Sequence, residues 1–400
     1  MNPRLRPIHI VPMVHQGQPA LMLRDPLRLT DHVMVVPQQL GPVLAMLDGT
    51  RNLDELRASL MVRAGMRATN GELQQIVDQL DRALLLHSQR FLDACDTALT
   101  EYHRAPYREP SSAGSSYPSD PADLAVMLDE YLDDITDVTP FAGRGLVSPH
   151  IDFERGGQVY AEIWQKMAEA ARKAEIAVVF GTDHNGGQGM LTLTRQNYAT
   201  PYGILPTATG VVDAMADAIG PELAFEEELH HIGEHSIELA AVWLHHVRDR
   251  QPIELVPILT GSFHHFINTP FEPSTDPTIS AALQALERTL DGRKALIVAA
   301  GDLAHVGPAF GDEVPVDFAG RARLAADDNA LMATICAGDA EAFYRKLEAE
   351  HDRRNVCGLA PVYLTLRLLG DTSGECAGYD RCPADQNGAS WVSICGVALK

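Results

Sequence analysis

The run IAVVFGTDH, residues 176–184, is an apolar segment that passes through a glycine into Asp183 and His184. Two other runs share this plan, RGLVSPH at residues 144–150 and ALIVAAGDLAH at residues 295–305. Short runs of Val, Ile, Leu and Ala flanked by glycine predict buried strands of a mostly parallel sheet. In open α/β sheets the ligand site lies beyond the carboxyl ends of such strands. The terminal histidines His150, His184 and His305 are therefore predicted to meet at one edge of the sheet.

Helical patterns alternate with these strands along the rest of the chain. A predicted helix at residues 157–173 leads into a strand at 176–180, and another at 234–247 leads into a strand at 253–260. The remaining elements are predicted as strands at 145–148 and 295–300 and as helices at 121–132, 276–290, 318–337 and 339–351. Such alternation is typical of an α/β domain with right-handed crossovers. We therefore predict a mostly parallel or mixed central sheet flanked by helices over residues 121–400.

The first 100 residues predict a separate, mainly helical, winged-helix-like domain. A strand is expected at 33–37 and a further strand of a small wing at 86–91. Helices are expected at 38–47, 53–64 and 70–85, the last with Asn70 as its N-cap and Glu72 in its first turn. Residues 101–120 are rich in Pro, Ser and Gly, which predicts a linker or an extended arm before the larger domain.

Composition limits the classes of partner. The net charge of −22 argues against a nucleic-acid backbone or an anionic membrane surface as partner. No apolar stretch reaches the roughly 18–20 residues of a membrane span, and the start of the chain lacks the pattern of a signal peptide. Six cysteines in 400 residues do not form a disulfide framework. We expect an acidic cytoplasmic protein with reduced thiols.

Three imidazoles at one sheet edge would suit a divalent metal ion better than almost any other ligand. The third, His305, follows Asp302 by three residues in the segment GDLAHVG. Asp302 is predicted either to orient an imidazole or to accept a proton itself, and the alternative is that it caps the following turn.

Two further segments carry candidate site residues. His235 and Glu238 lie three apart at the start of a predicted helix and so share a face, which predicts His235 as an acid/base or substrate contact supported by Glu238. Cys357 precedes a helix in a glycine-containing loop, where a thiolate could be stabilised, although a buried structural cysteine is the more frequent outcome. The other nearby histidines are predicted to be solvated or to pack: His230, His231, His245, His246, His264 and His265.

Seven segments in order resemble the Memo family, also called AmmeMemoRadiSam system protein B. They are REPSSAGSSYPSDPADL, SPHIDFERGGQVYA, VFGTDHNGG, EHSIEL, LVPILTG, GDLAHVG and NVCGLAP, spread collinearly over about residues 105–400. The resemblance implies the fold of the catalytic subunit of class III extradiol dioxygenases, which use non-haem Fe(II).

The resemblance also implies roles for individual residues. His150 and His184 match the two metal-site histidines, His235 matches the histidine of the EHS motif, and Asp302 and His305 match a D-x-x-H segment. Family members that bind metal are expected to carry a third ligand, a cysteine, directly before that last histidine.

Ala304 occupies that position here and cannot ligate a metal. Either His235 or His305 would then complete the site, or the site would bind metal weakly. Asp183 adjoins His184 and is a weaker candidate, because neighbouring residues usually point apart. Fe(II) is the expected metal, with zinc or copper as alternatives, since affinity order alone does not choose among them.

The segment DGTRNLDEL, residues 48–56, followed by a second helix and LLLHSQRF, resembles the small PqqD-like modules found beside radical-enzyme and peptide-modification systems. This resemblance implies a peptide- or protein-binding adaptor that could recruit a radical-enzyme partner. The alternative is a packing domain without a ligand.

Three functions remain open from the sequence. The first is a metal-dependent, Fe(II) oxidoreductase that acts on a small aromatic or peptide-derived substrate. The second is a non-catalytic protein that binds a peptide or phosphopeptide while the N-terminal domain recruits a partner. The third is a metal-dependent hydrolase, in which imidazole ligands surround an activated water.

Overall fold

The computed structural model describes residues 2–30, 33–136, 138–187 and 189–400. The chain divides into two compact units, Met1–Ala105 and Pro106–Lys400. Unit 1 contains the strands β1 (His9–His15), β2 (Gln18–Arg24) and β3 (Met34–Pro37) and the helices α1 (Gly41–Met46), α2 (Leu53–Ala64), α3 (Asn70–Arg82) and α4 (Gln89–Arg104).

In unit 1 the three strands form an antiparallel sheet in the order β1-β2-β3, and the helices enclose a core that includes Leu23, Leu56 and Leu73. The predicted helix at 53–64 is present with those bounds, whereas the β1-β2 hairpin was not predicted. The PqqD-like character of this unit stays a prediction.

Two local predictions in unit 1 are corrected. Thr69, and not Asn70, caps α3, because its hydroxyl accepts from the backbone N–H of Glu72 while the Glu72 carboxylate accepts from the backbone N–H of Thr69. Residues 86–91 do not form a strand of a wing. The Ser88 hydroxyl accepts from the N–H of Phe91, and this cap starts a helix at Gln89 instead.

Unit 2 is an α/β unit in which strands and helices alternate along much of the chain. Its strands are β4 (Gly145–Ser148), β5 (Ile176–Thr182), β6 (Leu191–Leu193), β7 (Tyr198–Thr200), β8 (Gly203–Leu205), β9 (Glu254–Thr260), β10 (Ala295–Ala300), β11 (His305–Val306), β12 (Gly374–Pro383) and β13 (Trp391–Leu399). Its helices are α5 (Pro121–Asp133), α6 (Phe153–Lys173), α7 (Thr209–Ile219), α8 (Pro221–Phe225), α9 (His230–Gly233), α10 (Ser236–Val247), α11 (His264–Ile267), α12 (Pro277–Leu290), α13 (Phe318–Cys336), α14 (Ala340–Ala349) and α15 (Leu359–Leu369).

The central sheet of unit 2 is mixed. Its order is β11-β13-β4-β10-β5-β9-β6, with β12 paired to β13. The four middle strands, β4, β10, β5 and β9, run parallel, whereas β13 and β6 are antiparallel to their neighbours β4 and β9. The predicted α/β class with a mixed sheet flanked by helices is confirmed.

Both faces of this sheet are buried. Along β5, Val178 and Phe180 face one hydrophobic core, and Ala177 and Val179 face the other, as the period of two in a strand requires. Helices α5, α6 and α10 contribute to the core of Ala177, whereas α7, α12 and α15 contribute to the core of Val178. A strand that is apolar on both faces explains why the sequence shows a continuous apolar run there.

Residues 101–120 were predicted as a linker or an extended arm, and the structure places the two parts of this segment in different units. Helix α4 continues through Arg104, and residues from Pro106 onward belong to unit 2. Arg108 and Tyr117 are buried, and both side chains bond to the Glu238 carboxylate of α10. Pro, Ser and Gly here build a fixed segment.

None of the described helices has the length and apolar character that a membrane crossing requires.

Candidate metal centre

Three adjacent parallel strands deliver polar residues to one edge of the sheet. His150 lies two residues beyond the end of β4, His184 two beyond β5, and Asp302 two beyond β10. Because β10 lies between β4 and β5, these three carboxyl ends are neighbours. This is the edge at which ligands bind in open α/β sheets.

His150, His184 and His235 form a compact group that we name the histidine cluster. One ring nitrogen from each lies within 4.8 Å of the others. The ring centroids of His150 are 5.0 Å from His184 and 5.5 Å from His235, and the rings of His184 and His235 stack at 5.1 Å. His150 is buried, whereas the side chains of His184 and His235 are 37% and 41% exposed. The cluster is therefore open on one side.

A thiol joins the cluster from a distant loop. The Sγ of Cys357 lies 3.2 Å from the Nε2 of His150, and His150, Asp302 and Cys357 form a second group of ligand atoms within 4.8 Å of one another. Burial raises the pKa of the Cys357 thiol, but the imidazoles of His150 and His184 outweigh it and hold the net pKa below its ordinary value. A thiolate is the form of cysteine that ligates metals.

The position before His305 supplies no ligand, since the Ala304 side chain is a methyl group without a donor atom, and it is fully buried. Cys357 instead brings sulfur to the site from the loop before α15. His305 itself points its Nδ1 at the carbonyl oxygens of Asn355 (3.2 Å) and Leu303 (3.3 Å). Among the described residues it lies in none of the groups within 4.8 Å, so its role as a metal ligand stays a prediction. Burial lowers its pKa.

Hydrogen bonds set the orientation of His150. Its Nδ1 lies 3.1 Å from the carbonyl oxygen of Ala300, which can only accept, so Nδ1 carries the proton and Nε2 keeps its lone pair. Its backbone N–H donates to Asp302 Oδ1 at 2.8 Å. Burial lowers the pKa of His150 and raises that of Asp302. His150 is therefore a neutral imidazole with Nε2 facing the cluster, and Asp302 holds its backbone in place.

Glu234 is a site residue that the sequence analysis missed. Its buried carboxylate lies 2.9 Å from Nδ1 of His184 and 3.2 Å from Nδ1 of His235. Burial raises the pKa of Glu234, but the two imidazoles outweigh it and bring the net pKa well below its ordinary value. Burial likewise lowers the pKa of His184, and Glu234 and Cys357 reverse this to a net rise. The sequence feature that could have identified Glu234 is its position directly before His235 at the start of a helix.

Glu238 does not support His235 as predicted. It is fully buried and accepts from the backbone N–H groups of Ser111 and Ser112, from the hydroxyl of Tyr117 at 2.6 Å and from the guanidinium of Arg108. Burial raises its pKa, but Arg108 outweighs burial and lowers it. Glu238 thus anchors the segment before α5 to α10.

Asp183 points away from His184, as alternation along the chain requires. Its Oδ2 lies 2.8 Å from Nδ1 of His230, and with Glu227 these residues form a further group within 4.8 Å, which we name the acid–histidine cluster. His231 is fully buried, with Tyr198 and the carbonyl oxygen of Thr192 as hydrogen-bond partners.

The remaining histidines that were predicted to pack or to be solvated lie outside the histidine cluster. His245 bonds to Thr200, and His246 bonds to Tyr202 and Asp129. His264 is exposed.

Comparison with known proteins identifies this arrangement. A family model described as Memo-like protein matches residues 108–390, which is more than half of the chain. The chain belongs to the Memo family. The match begins at Arg108, the buried residue that starts the anchoring segment, and it includes every residue of both clusters.

Curated relatives extend this result. A MEMO1 family protein of Aquifex aeolicus is 24% identical over 405 residues, covering 100% of both chains. Those of Methanosarcina barkeri and Thermus thermophilus are 27% and 25% identical and cover 68% and 81% of this chain and 91% and 92% of their own. The Aquifex relative therefore matches unit 1 as well as the Memo domain.

Proposed function

We propose that the histidine cluster and Cys357 form a metal centre, with iron(II) as its metal, and that the protein is a metal-dependent oxidoreductase. The observation that carries this proposal is the Cys357 thiol 3.2 Å from Nε2 of His150, inside a group of imidazoles. Metal ligands must be deprotonated, and the lowered pKa values of His150 and Cys357 favour those forms.

The donor set narrows the choice of metal. Imidazole suits iron, copper, zinc and nickel, and a thiolate adds a preference for softer ions. Oxygen-rich sites for calcium or magnesium differ from this one, since its donors are three imidazoles, one thiol and one carboxylate. His150, His184, His235 and Cys357 would hold an iron(II) ion, which would supply one-electron chemistry.

The protein's own residues prepare the site for a small molecule or a peptide side chain. Ala300 fixes the tautomer of His150, and Asp302 holds its backbone. The exposed sides of His184 and His235 leave access from solvent. The buried Asp302 carboxyl, whose pKa is raised by burial, lies where it can hold or accept a proton beside His150.

Metal analysis of anaerobically purified protein tests the proposal. Titration with Fe(II), Zn(II) and Cu(I) would be compared for the native chain and for His150→Ala, His184→Ala and the control His264→Ala, whose histidine is exposed outside the cluster. We expect one Fe(II) per chain, lost in the first two variants and kept in the control. Unchanged binding in His150→Ala and His184→Ala would overturn the assignment.

Turnover separates oxidoreductase from hydrolase. Oxygen uptake by the Fe(II)-loaded protein with aromatic diols and with short peptides would support the oxidoreductase. Ester or amide hydrolysis that follows added zinc would instead favour the hydrolase.

A second candidate function rests on unit 1. Strand β1 is at the edge of its sheet and mostly exposed, with Val14 71% exposed, and an edge strand is where an added strand can pair. This supports a peptide- or protein-binding role beside a radical-enzyme partner. Co-purification with a co-expressed radical enzyme from the same organism should weaken in Val14→Lys, and equal recovery would count against this role.

A further inference from the structure

We propose that Glu234 is a positioning residue that fixes the tautomers of His184 and His235 and thereby turns both Nε2 atoms toward the metal. The inference rests on the proposed metal centre and adds the residue that makes two of its histidines usable as ligands.

The hydrogen-bond chemistry of a carboxylate carries the first step. Glu234 Oε2 lies 2.9 Å from Nδ1 of His184, and Oε1 lies 3.2 Å from Nδ1 of His235. An ionised carboxylate only accepts hydrogen bonds, so the bond to His184 requires a proton on its Nδ1, and the 3.2 Å ion-pair contact favours the same tautomer in His235. Each neutral ring then has its lone pair on Nε2. One side chain therefore sets the tautomer of two rings at once.

The carboxylate is itself held rigidly. It also accepts from the backbone N–H groups of His184 (3.1 Å), His235 (2.8 Å) and Ser236 (3.0 Å). Glu234 is 3% exposed, and its carbonyl oxygen accepts from the Arg108 guanidinium at 2.7 Å. These bonds tie the loop after β5 to the first turn of α10, so the two histidines keep a fixed relation to each other.

Carboxylates behind metal-bound imidazoles have a known physical effect. They fix the ring orientation and raise the basicity of the ligating nitrogen, and their removal typically lowers metal affinity about 10–100-fold. Glu234 serves two rings, so we expect the upper part of that range.

Glu234→Gln is the decisive variant because it keeps the shape of the side chain. The amide presents one oxygen and one NH2 group, so one ring faces a donor and must accept at Nδ1. That ring moves its proton to Nε2 and is lost as a ligand. Long-range ¹H–¹⁵N correlations of metal-free protein at alkaline pH, where both rings are neutral, report this tautomer directly.

We expect two Nδ1–H rings in the native chain and one in Glu234→Gln, and we expect the zinc affinity of that variant to be lowered about 100-fold, with zinc as a diamagnetic probe. The control Glu227→Gln changes a carboxylate that binds the N–H of Gly187 in the same loop and should alter neither quantity. Native tautomers and native zinc affinity in Glu234→Gln would overturn the inference.

Two further outcomes are distinguishable. If Glu234→Gln fails to fold, Glu234→Asp keeps the charge but is too short for both rings, so one ring should revert to the Nε2–H form that free imidazole prefers. Two unchanged Nδ1–H rings in that variant would also overturn the inference. If the native chain shows both Nδ1–H tautomers but binds neither iron nor zinc, the proposed function fails while the positioning role of Glu234 is supported.

Discussion

Asp183 and His184 are neighbours at the end of β5, yet they enter two clusters of opposite design. In the histidine cluster one carboxylate, Glu234, lies behind two imidazoles and leaves both Nε2 atoms available. In the acid–histidine cluster one imidazole, His230, lies between the carboxylates of Asp183 (2.8 Å) and Glu227 (3.9 Å). The same residue types therefore give candidate metal ligands in one place and an ion pair in the other.

Charge accounts for the difference. Burial lowers the pKa of His230, but Asp183 and Glu227 outweigh it, so the net pKa is raised and the ring is favoured as a cation. The carboxylates also accept from backbone N–H groups of the loop that holds His184, Asp183 from Asn185 at 3.0 Å and Glu227 from Gly187 at 2.9 Å. We interpret the acid–histidine cluster as an ion-pair network that shapes this loop.

The largest expected effect is therefore on stability. In His230→Ala the side chain of Asp183, which is 1% exposed, loses its cation. Removing one partner of a buried ion pair costs about 3–5 kcal/mol. Urea unfolding would measure the loss, with the exposed His264→Ala as control, for which we expect a change below about 0.5 kcal/mol.

Metal stoichiometry provides the counter-test. His230→Ala should still bind one metal per chain, because the histidine cluster is intact. A native chain that binds two metals, one of them lost in His230→Ala with little loss of stability, would make the acid–histidine cluster a metal site and remove the contrast.

The next effect depends on pH and separates two adjacent histidines. Burial lowers the pKa of His231 to about 3. Below about pH 6.5 this ring is therefore protonated in the unfolded chain but remains neutral in the folded chain. The contribution of His231 to the free energy of unfolding is therefore fully present above pH 6.5. It decreases as pH falls, by about 2 kcal/mol at pH 5. The raised pKa of His230 acts in the opposite sense, because its contribution is complete below pH 6.5 and is lost as pH rises through the folded pKa.

Unfolding at pH 7 and pH 5 would test this sign. We expect His231→Gln to lose about 2 kcal/mol less stability than the native chain over this interval, and His230→Gln to lose more. Equal losses in all three proteins would show that neither ring is protonated differently in the folded and unfolded chains.

Sequence patterns predicted the features of these two clusters that depend on neighbouring residues in the chain. The bounds of β4 and β10 were predicted to the residue, because strands buried on both faces leave continuous apolar runs. The same reasoning placed His150 and His184 at one sheet edge. The opposite orientations of Asp183 and His184 followed from alternation along the chain.

The parts that the sequence analysis missed, or proposed without a partner as it did Cys357, depend on contacts between distant segments. Cys357 reaches His150 through a loop in which His351, Asp352 and Asn355 adopt positive φ values of 55°, 44° and 49°, a conformation that their local sequence does not predict. In the sequence, Glu234 is an ordinary acidic residue before a helix. Its role depends on the fold, because the end of β5 places His184 beside it. The hairpin of β12 and β13 was missed as well, although β13 completes the sheet beside β4.

A smaller effect should follow from Cys357→Ser, because the sulfur contacts His150 and the carbonyl oxygen of Asp302 at the edge of the cluster. We expect metal affinity to fall about tenfold, equivalent to about 1.4 kcal/mol, since a hydroxyl is a poorer ligand than a thiolate for these metals. Titration with Fe(II) and Cu(I) would measure it, and Cys382→Ser, a buried thiol that contacts Arg155, is the matched control. Equal affinity in Cys357→Ser would limit the centre to its histidines.

The smallest effect is expected at Glu227, where the acid–histidine cluster meets solvent. Its side chain is 24% exposed and lies 3.9 Å from His230, so Glu227→Gln weakens a distant charge contact while the amide oxygen can still accept from Gly187. Partly exposed pairs contribute about 0–1 kcal/mol. We expect a loss of about 0.5 kcal/mol in urea unfolding and unchanged metal binding. A loss as large as that of His230→Ala would mean that Glu227, rather than Asp183, is the main partner of the imidazolium.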